Sequence, residues 1–190
     1  NDVTLTGSTT TGAEVQESGL TDGTTEGTGH IVTGTLTLPT GTTAEAKTGN
    51  ATYGTFEVKA DGTYSYTLTT KTTGDDVTDS FEYTSKDANG NTVVNTVKVS
   101  IVDDAPKAEA DEKDVTEGAT LVVSAENGVL NNDKAGADGW AESTVVGVVA
   151  GSQTADVSTG AGTVIAGTYG KLTLNADGSY NYVSTANAVT

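Results

Sequence analysis

The stretch Thr52–Leu68, TYGTFEVKADGTYSYTL, decides the fold of this chain, because it recurs as TYGKLTLNADGSYNYVS at Thr168–Ser184. In both copies, apolar and polar residues alternate on either side of an Asp-Gly pair, a pattern typical of two half-buried strands joined by a tight turn. The copies lie 116 residues apart, a spacing typical of a β-sandwich domain rather than of a short solenoid repeat. The duplication therefore predicts an all-β chain of β-sandwich domains in tandem.

The same alternation continues beyond the repeated stretch. Phe81 and Tyr83 alternate with polar residues, an Asn-Gly turn follows, and Val97 and Val99 alternate again. A linker signal comes next at Asp103-Asp104-Ala105-Pro106, since proline cannot donate to a strand ladder and suits the passage from one sheet to another. We therefore predict a first domain over 1–104 and a second over 105–190.

The second copy is expected to be incomplete. Residues 79–102, which form the last predicted hairpin of the first domain, would correspond to positions 195–218, and the given sequence ends at Thr190. We therefore expect the second sandwich to lack its last strands, unless another chain or a further segment supplies them.

The composition excludes several classes of function. The chain carries 26 acidic residues against nine lysines, for a net charge of −17. Such a chain repels nucleic acid and anionic membrane surfaces and attracts cations, so we expect no nucleic-acid partner. No apolar run approaches the roughly 20 residues of a membrane span, so we also expect no membrane insertion. It has one histidine and no cysteine, which leaves no nucleophile, base and orienting group to assemble, and we expect it not to be an enzyme.

Three motifs carry a resemblance to a known family. The stretches TYGTFEVKADGTYSYTL and GTYGKLTLNADGSYNYV resemble the hairpin of VCBS-type repeats, and IVDDAPKA resembles the linker between such repeats. The stretch GVLNNDKAGADGW is similar to a segment of bacterial cadherin-like domains, from which it departs at Lys134–Ala137, where a further acid is usual. The resemblance implies Ig-like or cadherin-like sandwiches in the extender region of a giant RTX adhesin, secreted by the type I route to the bacterial cell surface. It implies a role in cell adhesion and biofilm formation, with neighbouring repeats of the same chain as partners.

Acidic residues crowd the predicted linker, and carboxylates at this density suit Ca²⁺, which takes six to eight oxygen ligands. Strand order brings the loop 71–77 to the same pole as Asp103, and a full-length first strand would bring Glu17 there too. The resemblance to cadherin-like junctions adds aspartates from a loop of the next domain. The predicted calcium ligands are Glu17, Asp75, Asp76, Asp103, Asp104, Asp133 and Asp138. A solvated acidic surface without bound ions is the alternative.

Other residues have simpler interpretations. Asp61 and Asp177 recur with the repeat, and their position before glycine favours a role in the turn. Trp140 could cover one end of the second sandwich or could stack on a sugar. Two functions follow: a stalk stiffened by calcium at the linker between domains, or a module that binds a glycan or protein ligand of the same adhesin. Host-cell, surface or glycan ligands of the parent adhesin would bind through other regions.

Overall fold

The computed structural model describes residues 5–140, 144–153 and 155–186. Strands account for 42% of it and helices for 3%, so the prediction of an all-β fold is confirmed. Contacts divide the chain into two compact units. Unit 1 comprises Asn1–Ala105 together with Ala135–Asp138, and unit 2 comprises Pro106–Lys134 and Gly139–Thr190. The short segment Ala135–Asp138, which lies within the predicted second domain, thus belongs to unit 1.

Unit 1 is a sandwich of two four-stranded sheets. Its strands within the described residues are β1 (Thr9–Gln16), β2 (Ile31–Thr35), β3 (Thr42–Ala44), β4 (Lys47–Asn50), β5 (Gly54–Val58), β6 (Thr63–Leu68), β7 (Val77–Asp87) and β8 (Thr92–Val102). One sheet has the order β1-β8-β7-β3 and the other the order β2-β6-β5-β4. Strand β1 runs parallel to β8, and the remaining pairs are antiparallel.

The core of unit 1 lies between these sheets and consists of the inward residues of the alternating strands. Phe81 of β7 stacks on Phe56 of β5, with ring centroids 4.4 Å apart, and meets the ring of Tyr64 edge-on. Val97 and Val99 of β8 are fully buried on the same side. Period-two alternation placed these residues correctly, because successive side chains of a strand point to opposite faces of its sheet.

Unit 2 forms one four-stranded sheet from the described residues. Its strands are β9 (Thr120–Val123), β10 (Val164–Ala166), β11 (Gly170–Leu174) and β12 (Tyr180–Ser184), in the order β10-β11-β12-β9. Strands β11 and β12 are the second copy of the repeated hairpin and pair in the same register as β5 and β6. No second sheet comparable to β1-β8-β7-β3 is formed by the described part of unit 2.

The recurrent aspartates close the two hairpins. The Asp61 carboxylate accepts hydrogen bonds from the backbone N–H and the hydroxyl of Thr63, and Asp177 accepts the same pair from Ser179. The side-chain hydrogen bond from Thr63 or Ser179, assisted by the backbone one, lowers the pKa of each aspartate. These contacts are those of turn residues, as predicted.

Two short 3-10 helices complete the described elements, Glu17–Gly19 in unit 1 and Ala125–Asn127 in unit 2. Among the described residues, no helix is long and apolar enough to span a membrane.

Candidate metal centre

Three carboxylates of unit 1 converge at the end of the sandwich where β1 and β8 finish. Glu17, Asp103 and Asp138 each offer an oxygen, and the three oxygens lie within 4.8 Å of one another. Glu17 is fully buried, whereas Asp103 and Asp138 are exposed. One buried and two exposed carboxylates could enclose a cation on one side and leave its other side open to water.

Glu17 is the anchor of this group. It follows β1 directly and opens the 3-10 turn Glu17–Gly19. Its Oε1 accepts hydrogen bonds from the backbone N–H and the hydroxyl of Thr72, both at 2.5 Å. Its Oε2 is buried and has no hydrogen-bond partner among the residues that the structure describes. A buried carboxylate oxygen without a partner is costly, and a cation shared with Asp103 and Asp138 would compensate that cost.

Asp103 and Asp104 follow the end of β8 and have different surroundings. Asp103 is exposed and joins the carboxylate group, whereas Asp104 is buried. The Asp104 side chain accepts hydrogen bonds from the backbone N–H and hydroxyl of Thr24, at 2.8 and 2.5 Å, and from the backbone N–H of Ala137, at 2.9 Å. Asp104 therefore holds the residue next to Asp138 and supports the converging carboxylates without belonging to their group.

The segment Ala135–Asp138 brings the third carboxylate. Gly136 has a φ of +84°, and a side chain there would start 2.4 Å from the Asp104 carbonyl oxygen, so only glycine fits this approach. The Lys71 ammonium lies 3.7 Å from an Asp138 oxygen, but both side chains are about half exposed, and such a pair contributes little. Lys71 thus leaves Asp138 available to a cation.

The remaining predicted ligands lie elsewhere. Asp75 and Asp76 belong to the connection before β7 and line a surface pocket with Glu14 and Asp103, but they are outside the converging group. Asp133 belongs to unit 2, where it accepts a hydrogen bond from the backbone N–H of Glu109 at 2.8 Å. The structure therefore brings together three of the seven predicted ligands, uses Asp104 as their support, and places Asp75 and Asp76 beside Asp103.

Two residues that position the site were not foreseen from the sequence. Thr72 donates twice to Glu17 from 55 residues away, and Thr24 donates twice to Asp104 from 80 residues away. Neither threonine stands out in a chain rich in threonine, since only the tertiary contact gives it a role. Gly136 lies within the quoted cadherin-like segment, and a glycine there is a sequence signal for a turn with positive φ.

The chemistry of the three groups suits a hard cation. All three ligands are carboxylates, and oxygen-only sites with flexible geometry favour Ca²⁺, whereas Mg²⁺ demands near-octahedral geometry and retains its water. Three negative charges with one exposed lysine nearby also leave a local excess that a divalent ion would neutralise. The donor set and the orphaned Glu17 oxygen therefore fit Ca²⁺.

Comparisons with known proteins add no family to this description. No family model matches the chain, and no curated protein matches it significantly.

Proposed function

We propose that this chain is a calcium-binding structural module, an extender region of a bacterial cell-surface adhesin built from tandem β-sandwich repeats. The observation that carries the proposal is Glu17, whose buried Oε2 has no hydrogen-bond partner in the described part of the chain and whose carboxylate lies within 4.8 Å of ligand oxygens of Asp103 and Asp138. The resemblance of the repeated hairpin to VCBS-type repeats is the reason for proposing an adhesin that reaches the cell surface by type I secretion. Cell adhesion and biofilm formation are the processes that such a stalk would support.

Calcium would act on the connection that follows β8. Asp103 lies in that connection, and Asp138 lies in a segment whose sequence neighbours on both sides belong to unit 2. An ion held by Glu17, Asp103 and Asp138 would fasten both stretches to unit 1 and restrict their motion. Extracellular calcium modules bind at roughly 10⁻⁴ to 10⁻³ M, so such a site would fill outside the cell and stay empty in the cytosol.

Calorimetric titration tests the proposal. Protein freed of metal with a chelator is titrated with CaCl₂ and, separately, with MgCl₂, and we expect saturable binding of calcium at roughly 10⁻⁴ to 10⁻³ M. The variant Glu17→Gln keeps the shape and an oxygen for Thr72 but removes the charge, and we expect it to lose this binding. Glu14→Gln is the matched control, because it removes a carboxylate charge from β1 at a residue outside the converging group. Absence of calcium binding to the unaltered chain, or equal binding by Glu17→Gln, would contradict the proposal.

The alternative is a ligand-binding module of the same adhesin. Its supporting observation is Trp140 of unit 2, which is 46% exposed and could stack on a sugar ring. A glycan array probed with the chain and with Trp140→Ala would support this function if binding appeared and the variant lost it.

A further inference from the structure

The Lys71 ammonium of unit 1 lies among three oxygens of residues 137 and 138. It is 3.4 Å from the carbonyl oxygens of Ala137 and Asp138, and 3.7 Å from a carboxylate oxygen of Asp138. All three distances exceed the roughly 2.7–2.9 Å of a well-formed hydrogen bond between a charged nitrogen and a charged oxygen. These oxygens therefore hold a cation loosely, and one of their residues, Asp138, also belongs to the group that converges with Glu17 and Asp103.

Lys71 can withdraw its charge without a change in the backbone. It lies in the connection between β6 and β7, directly before Thr72. Thr72 is 2% exposed, and its backbone N–H and hydroxyl both donate to Glu17. The backbone is thus fixed beside Lys71, whereas the Lys71 side chain is 53% exposed. Because the stem of a lysine is long and flexible, the ammonium can turn into water while Thr72 keeps its hold on Glu17.

The oxygens that hold the ammonium are of the kind that Ca²⁺ binds. Calcium takes six to eight oxygen ligands, and backbone carbonyls are common among them. Three carboxylates that each bind through one oxygen would leave several positions of that shell to fill. Asp138 stands in both arrangements, since its carboxylate faces Lys71 and also converges with Glu17 and Asp103. Two cations at one carboxylate repel each other, so the ammonium has to leave when a metal ion enters.

The charge of the entering ion decides whether it can replace the ammonium. The contact between Lys71 and Asp138 is weak, because both side chains are about half exposed to water. A monovalent ion would bring only the charge that the ammonium already supplies. A divalent ion brings twice that charge to three carboxylates, one of which is buried. Lys71 thus opposes a monovalent ion more effectively than a divalent one.

We propose, on the basis of the calcium function proposed above, that Lys71 is a built-in competitor of the metal ion at the candidate metal centre. Calcium displaces the ammonium from Asp138 and takes the carbonyl oxygens of Ala137 and Asp138 into its shell, while the Lys71 side chain turns into water. Lys71 is not a ligand. It lowers the affinity of the site for every cation and favours divalent ions over monovalent ones.

Calorimetric titration with CaCl₂ compares the metal-free chain with its Lys71→Met variant. Methionine keeps a flexible apolar stem but removes the charge and the hydrogen-bond donors. We expect Lys71→Met to bind calcium roughly two- to fivefold more tightly, which is the factor that corresponds to one exposed ion pair. Lys71→Arg keeps the charge and should bind calcium much as the unaltered chain does.

Lys59→Met is the matched control for net charge. Lys59 precedes β6 and Lys71 follows it, so the two lysines lie at opposite ends of that strand. Both variants remove one positive charge, but only Lys71→Met removes it beside Asp138. Lys59→Met should therefore leave the calcium affinity unchanged.

Competition by monovalent salt is a readout that a merely structural role of Lys71 would not change. Calcium binding is measured in sodium chloride and in tetramethylammonium chloride of equal ionic strength, because the tetramethylammonium ion is too large to enter among the oxygens. We expect sodium to weaken calcium binding, relative to tetramethylammonium, more in Lys71→Met than in the unaltered chain.

Carbonyl ¹³C resonances of the labelled chain report on the added ligands. Those of Ala137 and Asp138 should shift when calcium is added, because a bound divalent ion polarises a carbonyl group. The carbonyl resonance of Thr63, at the other end of β6, should not move. Absence of a shift at both Ala137 and Asp138 would contradict their assignment as ligands.

Two results of the titration would overturn the competition itself. One is equal calcium affinity of Lys71→Met and the unaltered chain, and the other is weaker binding by a Lys71→Met variant whose unfolding curve is unchanged, which would make Lys71 a support of residues 135–138. If the unaltered chain binds calcium in either case, only the role of Lys71 fails. If neither chain binds calcium, the proposed function fails as well.

Discussion

The Tyr66 hydroxyl and the Asp79 carboxylate form a buried polar contact in the core of unit 1. Asp79 is 3% exposed and also accepts hydrogen bonds from the backbone N–H groups of Thr52 and Tyr53. Burial raises the pKa of Asp79, but the bonds from Tyr66 and from the backbone together outweigh burial and hold that pKa below its usual value. Burial, followed by the hydrogen bond to Asp79 and its charge, raises the pKa of Tyr66. The pair therefore stays a neutral donor and a charged acceptor.

Removal of the Tyr66 hydroxyl should destabilise unit 1. We expect Tyr66→Phe to lower the free energy of unfolding by about 1.5–3 kcal/mol, the usual contribution of a hydrogen bond to a charged group. Tyr182→Phe is the matched control, because the equivalent tyrosine is half-buried in a sheet without a counterpart of β7 among the described residues. Chemical denaturation of both variants measures the difference, and equal losses would refute this role of the pair.

The lowered pKa of Asp79 predicts a dependence of stability on pH. Because the folded-state pKa lies below the unfolded value of about 3.9, the contribution of Asp79 is fully present above that value and is lost as the pH falls through the folded-state pKa. Denaturation curves recorded from pH 6 down to pH 2 should therefore show a smaller acid-induced loss for Asp79→Asn than for the unaltered chain. Asp61→Asn is the control, since its exposed carboxylate is screened by solvent. The prediction would be contradicted if the free energy of unfolding of Asp79→Asn fell with decreasing pH as steeply as that of the unaltered chain.

At the scale of elements, the hairpin of β7 and β8 packs its sheet against the other sheet of unit 1. Phe81 of β7 is 4% exposed and packs on three aromatic rings of the facing sheet. We expect Phe81→Ala to cost about 3–5 kcal/mol, because it leaves a cavity and removes the stacked contact with Phe56. Val94→Ala in β8 is the control, with a side chain 55% exposed and an expected effect within about 0.5 kcal/mol. Thermal or chemical denaturation measures both losses of stability, and equal losses for Phe81→Ala and Val94→Ala would disprove this role of Phe81.

At the scale of the whole molecule, the net charge of −17 makes any divalent cation stabilising to some degree. Calcium bound by Glu17, Asp103 and Asp138 should stabilise the chain more than this general neutralisation of charge does. With a Kd of roughly 10⁻⁴ to 10⁻³ M, 10 mM calcium would add about 1.4–2.7 kcal/mol to the free energy of unfolding. Melting curves in calcium and in sodium chloride of equal ionic strength separate the two effects.

The variant Glu17→Gln is the specific control for that measurement, because it should respond to calcium no more than to sodium chloride. The backbone N–H of Ala137 donates to Asp104. Its hydrogen–deuterium exchange should slow when calcium is added to the unaltered chain, but not when calcium is added to Glu17→Gln. Identical responses of the chain and the variant would leave the three carboxylates as a solvated acidic surface.

The sequence by itself determined the all-β fold, the positions of the repeated hairpins and the roles of their turn aspartates. These features are local, because the two-residue period of a strand and the tolerance of glycine for positive φ act between neighbours in the chain. Asp103 and Asp104 were both predicted as ligands, and nothing local in the sequence indicated that Asp104 is buried and Asp103 exposed.

Only the tertiary structure decided which acids meet. Glu17 reaches Asp103 because β1 runs parallel to β8 in one particular register, with Gln16 opposite Val102. Asp138 joins them because the buried Asp104 binds the backbone of Ala137. Both conditions depend on contacts between residues tens of positions apart, which no local pattern encodes, so the sequence offered seven candidate ligands where the fold brings three together.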